Sequence, residues 1–413
     1  MGPTVNPQPT MKPTTLLPGP QPTAARPTTL GVLGGGQLGR MFVHAAQAMG
    51  YAVAVLDPDP ASPAGRVADV HIATAYDDEQ GLAQLMQRCE AITTEFENVP
   101  AAVLGTLAAQ RPVAPHAQAV AVAQDRSAEK AHFAACAART GVGPAPHAIV
   151  RSPADLQRLD DALLPGILKT ARLGYDGKGQ VRVQHRDELA AAWQRLGQVP
   201  CVLERRLPLR DELSVIVARG ADGTLVALPV QRNVHRDGIL AVAEVGDGAV
   251  DPTLAQQALE ATQAITAELH YVGVLCVEFF VVDDGSPSGA LVVNEMAPRP
   301  HNSGHHSIDA CDVSQFELQV RTLAGLPLVT PRLHSAAVML NLLGDLWWRD
   351  GVAVTPDWAR VLALPGVHLH LYGKLDARPG RKMGHLTITA PTLAQARDVA
   401  RTAATLLGLP PWR

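Results

Sequence analysis

Glu278 and Glu295 lie seventeen positions apart, each inside an apolar run, Leu275 to Val282 and Val292 to Met296. The stretch Asp283-Asp284-Gly285-Ser286-Pro287-Ser288-Gly289 between them consists of turn residues without an apolar period. An antiparallel hairpin closed near Ser286 or Pro287 would set the two carboxylates opposite each other. Side chains opposed across a ladder have Cβ atoms about 4.5–5.5 Å apart, and two bare carboxylates at that spacing repel. A hard divalent ion with oxygen ligands would relieve the repulsion, which makes Glu278 and Glu295 candidate metal ligands. The alternative is a register in which both face solvent, the ordinary place for a charged side chain. Beyond Glu295 the chain reads Met296-Ala297-Pro298-Arg299-Pro300-His301-Asn302-Ser303-Gly304-His305, a strand delivering polar groups into a loop.

Three further groupings could handle anions. Gly166-Ile167-Leu168-Lys169-Thr170 is a strand with an interior lysine, followed by the Gly-rich segment Arg172 to Gln180 and a second run, Val181-Arg182-Val183. An ammonium beside glycine N–H groups suits a phosphate-covering lid, although the same spacing also describes an exposed hairpin. Gly34, Gly36 and Gly39 form Gly-x-Gly-x-x-Gly between a strand and a helix, with Asp57 at the end of the next strand. That is the context of a dinucleotide-binding turn, but Pro58, Pro60 and Pro63 break the chain directly afterwards. Glu95 follows a further strand end, where open α/β sheets bind ligands; a helix-capping acid is the other reading. The segment Tyr372 to His385 carries Lys374, Arg378, Arg381 and Lys382 among glycines and a proline, an anion-sized concavity or a solvated basic turn.

These groups need a scaffold, and the apolar periodicity supplies one. A strand, Gly-rich turn, helix through Met41–Met49 and strand through Tyr51–Leu56 are followed by a helix near Gln80–Arg88 and a strand near Ala91–Thr94. An alanine-rich helix opens at Asp125-Arg126 and ends at Gly141. Cys201 to Glu204 reads as another strand, Glu212 and His235 fall on strands or turns of a following sheet, and residues 316–326 as a helix. Residues 336–413 form a small mixed region. A chain of 413 residues, 47% hydrophobic and 18% charged, is long enough for two to four domains with large cores. A formal net charge of −4 argues against a nucleic-acid or anionic-membrane surface, and no apolar run reaches the length of a membrane-spanning helix. Cys89, Cys136, Cys201, Cys276 and Cys311 are odd in number and lack Cys-x-x-Cys spacing, which reads as reduced thiols in a cytoplasmic protein. Residues 1–29, rich in Pro and Thr, read as a disordered tail.

Gly35-Gly36-Gln37-Leu38-Gly39-Arg40, Gly174-Tyr175-Asp176-Gly177-Lys178-Gly179-Gln180, Asn294 to His305 and Arg378 to His385, in this order, resemble the ATP-grasp enzymes of purine biosynthesis, over roughly residues 30–410. The resemblance implies a chain of α/β and α+β parts: an ATP-grasp fold with an N-terminal Rossmann-like domain (30–125), two ATP-grasp lobes (126–330) and a small C-terminal domain (331–413). It implies an ATP-dependent carboxylation of 5-aminoimidazole ribonucleotide by bicarbonate through carboxyphosphate, with one or two Mg²⁺ ions, in a cytoplasmic homodimer. Motif positions then assign roles. Arg126, Lys169 and His235 would meet the ATP phosphates under the lid Gly174 to Gln180; Glu204, Arg205, Arg206 and Leu207 would hold the adenine and Glu212 the ribose. Glu278 and Glu295 would hold the metal with help from Asn294. Arg299, His301 and Asn302 would grip bicarbonate or carboxyphosphate, with Tyr175, Asp176 and Lys178 acting on the transferred group. Gln37, Leu38, Glu95, Asn302, Lys374 and Arg381 would hold the ribonucleotide. Two departures stand out: Arg232, where relatives often carry an acid, and Lys178, where arginine is also common. The rival readings are a formate-using ATP-grasp transformylase, a dinucleotide-dependent oxidoreductase built on Gly34 to Gly39, and a non-catalytic nucleotide-binding protein.

Overall fold

In a computed structural model, residues 15–20, 26–174 and 178–412 are described. Near-continuous apolar runs mark strands buried on both faces, and three of them, Thr29–Leu33, Ala52–Leu56 and Ala91–Thr94, build a parallel sheet. A fourth short strand, Val70–Ile72, completes it at one edge, in the order Val70–Ile72, Ala52–Leu56, Thr29–Leu33, Ala91–Thr94. The helix Gln37–Ala48 starts directly at the Gly-rich turn, and Glu79–Arg88 is capped by Asp78, whose carboxylate accepts from the Gly81 N–H.

Residues 15–20 depart from the expected disordered tail. The Leu16 N–H donates to the Ala324 carbonyl at 2.8 Å and its own carbonyl accepts from the Tyr51 hydroxyl at 2.6 Å, while Gly19 N–H meets the Gly50 carbonyl. Backbone pairing and the Leu16 side chain, packed against the core around Val43 and Tyr51, hold the segment together.

The helix Arg126–Thr140 is capped by Asp125 at its start and ended by Gly141 in the left-handed region, φ 73°. A four-stranded antiparallel sheet follows, ordered His147–Val150, Cys201–Arg205, Gly166–Thr170, Gln180–Val183. The second sheet runs Ala290–Ala297, Gly273–Val282, Leu209–Arg219, Gln231–Arg236, Ile239–Val245, Ala336–Leu343, Lys382–Ala390, Val367–Leu371, with Leu225–Ala227 paired to Leu209–Arg219. The C-terminal strands therefore extend the same ladder instead of building a sheet of their own. The helix Pro252–Glu268 lays Leu254, Ala258, Ala261 and Ile265 on Val215, Val217, Leu275 and Val277. At the other end Leu393–Leu407 packs Ala396, Ala400, Ala403 and Leu407 against Val338, Leu340 and Ile388.

Glu244, on the central strand Ile239–Val245, ties these parts together. Its side chain is 1% exposed and meets Arg397 Nη2 at 2.6 Å, Arg232 Nη1 at 3.2 Å and Trp412 Nε1 at 2.9 Å. Arg232 is thus balanced by Glu244 and by Asp211, the latter at 2.6 Å. Burial alone would push the Glu244 carboxyl up; hydrogen bonds from Arg397 and Trp412 outweigh it and hold the carboxyl below its ordinary range. Replacing Glu244 by Gln takes the carboxylate from Arg397 and leaves Arg232 with Asp211 alone, and breaking such a buried pair should cost about 3–5 kcal/mol near neutral pH. A depressed carboxylate contributes stability above its unfolded pKa of about 4.3 and loses it as pH falls through the lower folded value. Urea unfolding of Glu244→Gln and wild type should therefore converge on acidification. A constant gap down to the acid limit would assign the loss to packing.

Candidate active site

The hairpin forms as its turn residues require. Strands Gly273–Val282 and Ala290–Ala297 pair antiparallel with Glu278 directly opposite Glu295. One step later the register slips, Phe279 pairing with Val293, so Asn294 is the extra residue of a β-bulge. Bulges re-aim side chains beside active sites. The Glu278 carboxyl is pushed up to about 7, by burial first and by the Glu295 charge second. Glu295 takes the opposite course. Burial would raise it as well, but Arg126, at 3.1 Å, and Lys169 hold it charged, near about 2. Two oxygen donors held face to face at this energetic cost are what a divalent cation would relieve. His301 Nε2 lies 3.2 Å from Glu278 Oε1, while its Nδ1 accepts from the Ser303 N–H at 3.4 Å. The ring proton therefore sits on Nε2, aimed at Glu278. Burial, then Arg299, keeps this imidazole neutral, well below its ordinary pKa.

Cations line the other side. Lys169 Nζ is 2.9 Å from Glu204 Oε2, and Lys130 Nζ lies 3.3 Å from Glu204 Oε1. Burial opposes ionisation of Glu204, but the two lysines prevail and hold it near about 2. Its carboxylate is thus engaged by the two lysines, while the backbone of the segment is a separate matter. Arg205 and Arg206 are exposed and Leu207 half-buried; the first two N–H groups already donate to the Pro146 and Pro165 carbonyls. His235 Nδ1 is 2.7 Å from Glu212 Oε2. Burial would lower that imidazole; the Glu212 hydrogen bond and the Glu278 charge raise it to about 9, so it is a cation at neutral pH. In the lid, Thr170 N–H donates to Gly179 O at 2.8 Å and Arg126 Nη2 to Gly174 O at 3.4 Å. Gly174, Lys178, Gly179 and Gln180 are placed by the structure; Tyr175, Asp176 and Gly177 lie outside the described residues.

The loop after Glu295 is pinned by Gln315, whose Oε1 accepts from His301 N–H at 2.9 Å and whose Nε2 donates to His301 O at 2.8 Å. Arg299 forms an ion pair with Glu97, from the loop after Ala91–Thr94, and so joins the first sheet to this site. Asn302 is buried, and both polar atoms of its amide lack a hydrogen-bond partner. Such a group in a folded protein requires an explanation, and a ligand is one.

The Gly-rich turn behaves differently from its dinucleotide-like sequence. Gly36 N–H donates to Glu95 Oε1 at 2.8 Å, Gly39 N–H to Glu95 Oε2 at 3.0 Å, and Gly35 N–H to Asp57 Oδ2 at 2.7 Å. Asp57 also accepts from Asp59 N–H and from the Tyr76 hydroxyl. The chain's own carboxylates fill the cradle, so neither a pyrophosphate nor a 2′-hydroxyl finds the donors and acceptor it needs. Gln37 is half-buried at the helix start. The Leu38 side chain packs on Met41, Phe316 and Tyr372, which leaves its backbone for any ligand contact. The basic segment comes to the same region, Arg66 Nη1 donating to Gly373 O at 3.0 Å. Lys374 Nζ donates to Lys382 O at 2.7 Å and Arg381 Nη1 to Asp376 O at 2.8 Å. Lys382 already belongs to the strand Lys382–Ala390, so the loop is shorter than its sequence implies. Nearby, Asp309, His370 and His385 bring possible ligand atoms within 4.8 Å. The two imidazoles stack at 13°, so their in-plane lone pairs run parallel and do not converge on one ion.

Glu129 and Lys130, fully buried beside the hairpin, are the residues sequence reasoning passed over. Their signal was the spacing Arg126, Glu129, Lys130, which places all three on one helix face.

Comparison with known proteins covers most of the chain. The ribonucleotide synthetase preATP-grasp domain matches residues 27–124, the ATP-grasp domain residues 136–316, and the phosphoribosylaminoimidazole carboxylase C-terminal domain residues 337–399. The chain is 42% identical over 373 residues to the N5-carboxyaminoimidazole ribonucleotide synthase of Brucella melitensis, covering 89% of this chain and 98% of that protein. The crystal structure of N5-carboxyaminoimidazole synthetase from Staphylococcus aureus complexed with ADP superposes with a TM-score of 0.83 at 36% identity, covering 94% and 98% of the two chains. N5-carboxyaminoimidazole synthase from Aspergillus clavatus, in complex with ADP and 5-aminoimidazole ribonucleotide, gives a TM-score of 0.81 at 30% identity, covering 92% and 98%.

The filled cradle makes a packing prediction. A Cβ on Gly36 would lie 2.7 Å from Glu95 Oε1, although φ of −73° suits any residue. Gly36→Ala should cost about 1–3 kcal/mol by overpacking, and the double variant with Glu95→Ala should cost clearly less than the sum of the single changes. Chemical denaturation of the four proteins of the cycle measures this; strict additivity would mean that Glu95 does not occupy the turn.

Proposed function

The chain belongs to the N5-carboxyaminoimidazole ribonucleotide synthases, and from that membership we propose how its own residues carry the reaction. It is an ATP-grasp ligase that carboxylates 5-aminoimidazole ribonucleotide at the expense of ATP, a step of purine biosynthesis. The observation that carries the reading of the site is the opposed Glu278–Glu295 pair, faced by Arg126, Lys169 and His235.

The donor set fits Mg²⁺: Glu278 and Glu295, with Asn294, would hold one or two ions. Bound with ATP, Mg²⁺ supplies charge neutralisation on the β- and γ-phosphoryl oxygens. Arg126, Lys169 and cationic His235 add to that neutralisation, and the segment Gly174 to Gln180 covers the phosphates. Because Glu204 is engaged by lysines, adenine falls to the backbone of Glu204, Arg205, Arg206 and Leu207. Glu212 both fixes His235 and accepts from the ribose. A bicarbonate oxygen attacks the γ-phosphorus, giving carboxyphosphate and ADP. The exocyclic amine nitrogen then attacks the carbonyl carbon and phosphate leaves. Asn302, with its unpartnered buried amide, Arg299 and the neutral Nε2–H of His301 orient the carboxyl oxygens, and Tyr175, Asp176 and Lys178 act on the transferred group. Such chemistry needs positioning and charge compensation more than a covalent nucleophile.

The ribonucleotide sits between the first sheet and the basic segment. With the glycine N–H groups taken by Glu95 and Asp57, its 5′-phosphate falls to Lys374 and Arg381, and Gln37 and the remaining lone pairs of Glu95 meet its hydroxyls; Leu38 contributes backbone alone. The domain divisions near residues 125 and 330 follow the same division of labour. We also propose that the protein is a cytoplasmic homodimer. All five cysteines are free and buried, as a reducing compartment favours, and among the described residues no helix is long and apolar enough to cross a membrane.

Two outcomes test this reading. ADP release should require both bicarbonate and 5-aminoimidazole ribonucleotide; release sustained by formate in place of bicarbonate would point to the transformylase chemistry instead. Removal of one charge-assisted phosphate contact costs about 1.5–3 kcal/mol, tenfold or more in affinity. Arg381→Ala should accordingly raise the ribonucleotide requirement at least tenfold and leave that for ATP within about twofold, whereas Lys169→Ala should do the reverse. Paired substrate titrations read both, and an Arg381 variant impaired towards ATP alone would reassign the basic loop.

A further inference from the structure

The strand Ala290–Ala297 that carries Glu295 is the outermost strand of the nine-stranded sheet. An edge strand presents N–H and C=O groups with no ladder partner, and buried ones must be satisfied elsewhere. Val293 N–H goes to the Gly143 carbonyl at 2.9 Å. The next two groups go to side chains of the helix Arg126–Thr140. The carbonyl of Asn294, the bulged residue, accepts from Lys130 Nζ at 2.7 Å, and the Met296 N–H donates to Glu129 Oε1 at 2.7 Å. Glu129 and Lys130 are 2% and 0% exposed. Residues on both sides of Glu295 are thus bound by side chains where a neighbouring strand would otherwise bind them, and Arg126, one turn earlier on the same helix face, holds the Glu295 carboxylate itself.

We infer that Glu129 and Lys130 are positioning residues for the phosphoryl-transfer site: they act as a side-chain substitute for a missing strand, fixing the backbone at Asn294 and Met296 and so the aim of Glu295. The inference rests on the reading of Glu295 as a metal ligand. Core filling alone does not require this arrangement, because a buried ion costs several kcal/mol to desolvate and an apolar helix face would avoid that cost. Lys130 also reaches Glu204 on the four-stranded sheet, so the same ammonium sets the edge of one sheet against the strand end of the other.

The test uses the full chain with ADP and Mn²⁺ as the metal probe, following Mn²⁺ by electron paramagnetic resonance and the Met296 amide by hydrogen exchange. Glu129→Gln keeps an acceptor oxygen for the Met296 N–H and should bind Mn²⁺ within about twofold of wild type. Glu129→Ala and Lys130→Met should weaken Mn²⁺ at least tenfold and speed Met296 exchange, with the ribonucleotide KM little changed. If they lower the thermal midpoint but leave Mn²⁺ affinity at the wild-type level while Glu295→Gln weakens it, the two residues are structural only and the inference falls. If Glu295→Gln also binds Mn²⁺ as wild type does, the ligand reading itself is wrong and the inference falls with it. Should Lys130→Met fail to fold, the contrast between Glu129→Gln and Glu129→Ala decides alone, equal Mn²⁺ affinities overturning the inference.

Discussion

Two carboxylates forced face to face across a β-ladder set the terms for the rest of the molecule. Glu278 and Glu295 cannot both be charged without compensation, and the surrounding groups are distributed accordingly. Arg126 and Lys169 stabilise the ionised form of one, His301 places a neutral N–H against the other, and His235 stays cationic within their field. Separating unlike roles within one pair is how environment tunes identical side chains.

A second device recurs at some distance from it. Acids that look free in the sequence are consumed by the chain: Glu95 and Asp57 by glycine N–H groups, Glu204 by two lysines, Glu97 by Arg299, Glu244 by two arginines. Most of these pairings cross between separate elements; Arg232 with Glu244, on neighbouring strands, is the local exception. These carboxylates act as internal counter-charges, whereas both polar atoms of the buried Asn302 amide stay without a protein partner.

That distinction explains what could be read beforehand. The hairpin was legible because turn residues separate two apolar runs, and counting back from the turn offered the opposition of Glu278 and Glu295 as one of two registers, the one the ladder adopts. The strand containing Lys169 and the Gly-rich turn were legible for the same local reason. The use to which the turn is put was not, because Gly36 looks alike whether its N–H meets a phosphate or Glu95. Lys130 was missed since a lysine in an alanine-rich helix ordinarily reaches solvent; only its packing against Glu204 and the bulge at Asn294 shows otherwise. The C-terminal strands looked like a separate unit because pairing of Ile239–Val245 with Ala336–Leu343 spans about ninety residues and leaves no local trace. The tail reading did not anticipate residues 15–20, where backbone hydrogen bonds and the packed side chain of Leu16 do the anchoring.

The continuous ladder has a kinematic consequence. The hairpin bearing Glu278 and Glu295 and the strand Lys382–Ala390, at the root of the basic loop, belong to one hydrogen-bonded sheet and are joined through four intervening strands. Sliding one relative to the other would break several rows of backbone hydrogen bonds at once, so the two ends keep a fixed separation through a working cycle. The four-stranded sheet with Lys169 is not part of that ladder. It is tethered across the gap by side chains, Lys130 to Glu204 and Arg126 to Gly174, which can let go and re-form one at a time. The molecule thus resembles a vice with one fixed jaw, and whatever opens to admit or release a nucleotide opens on the side of the smaller sheet.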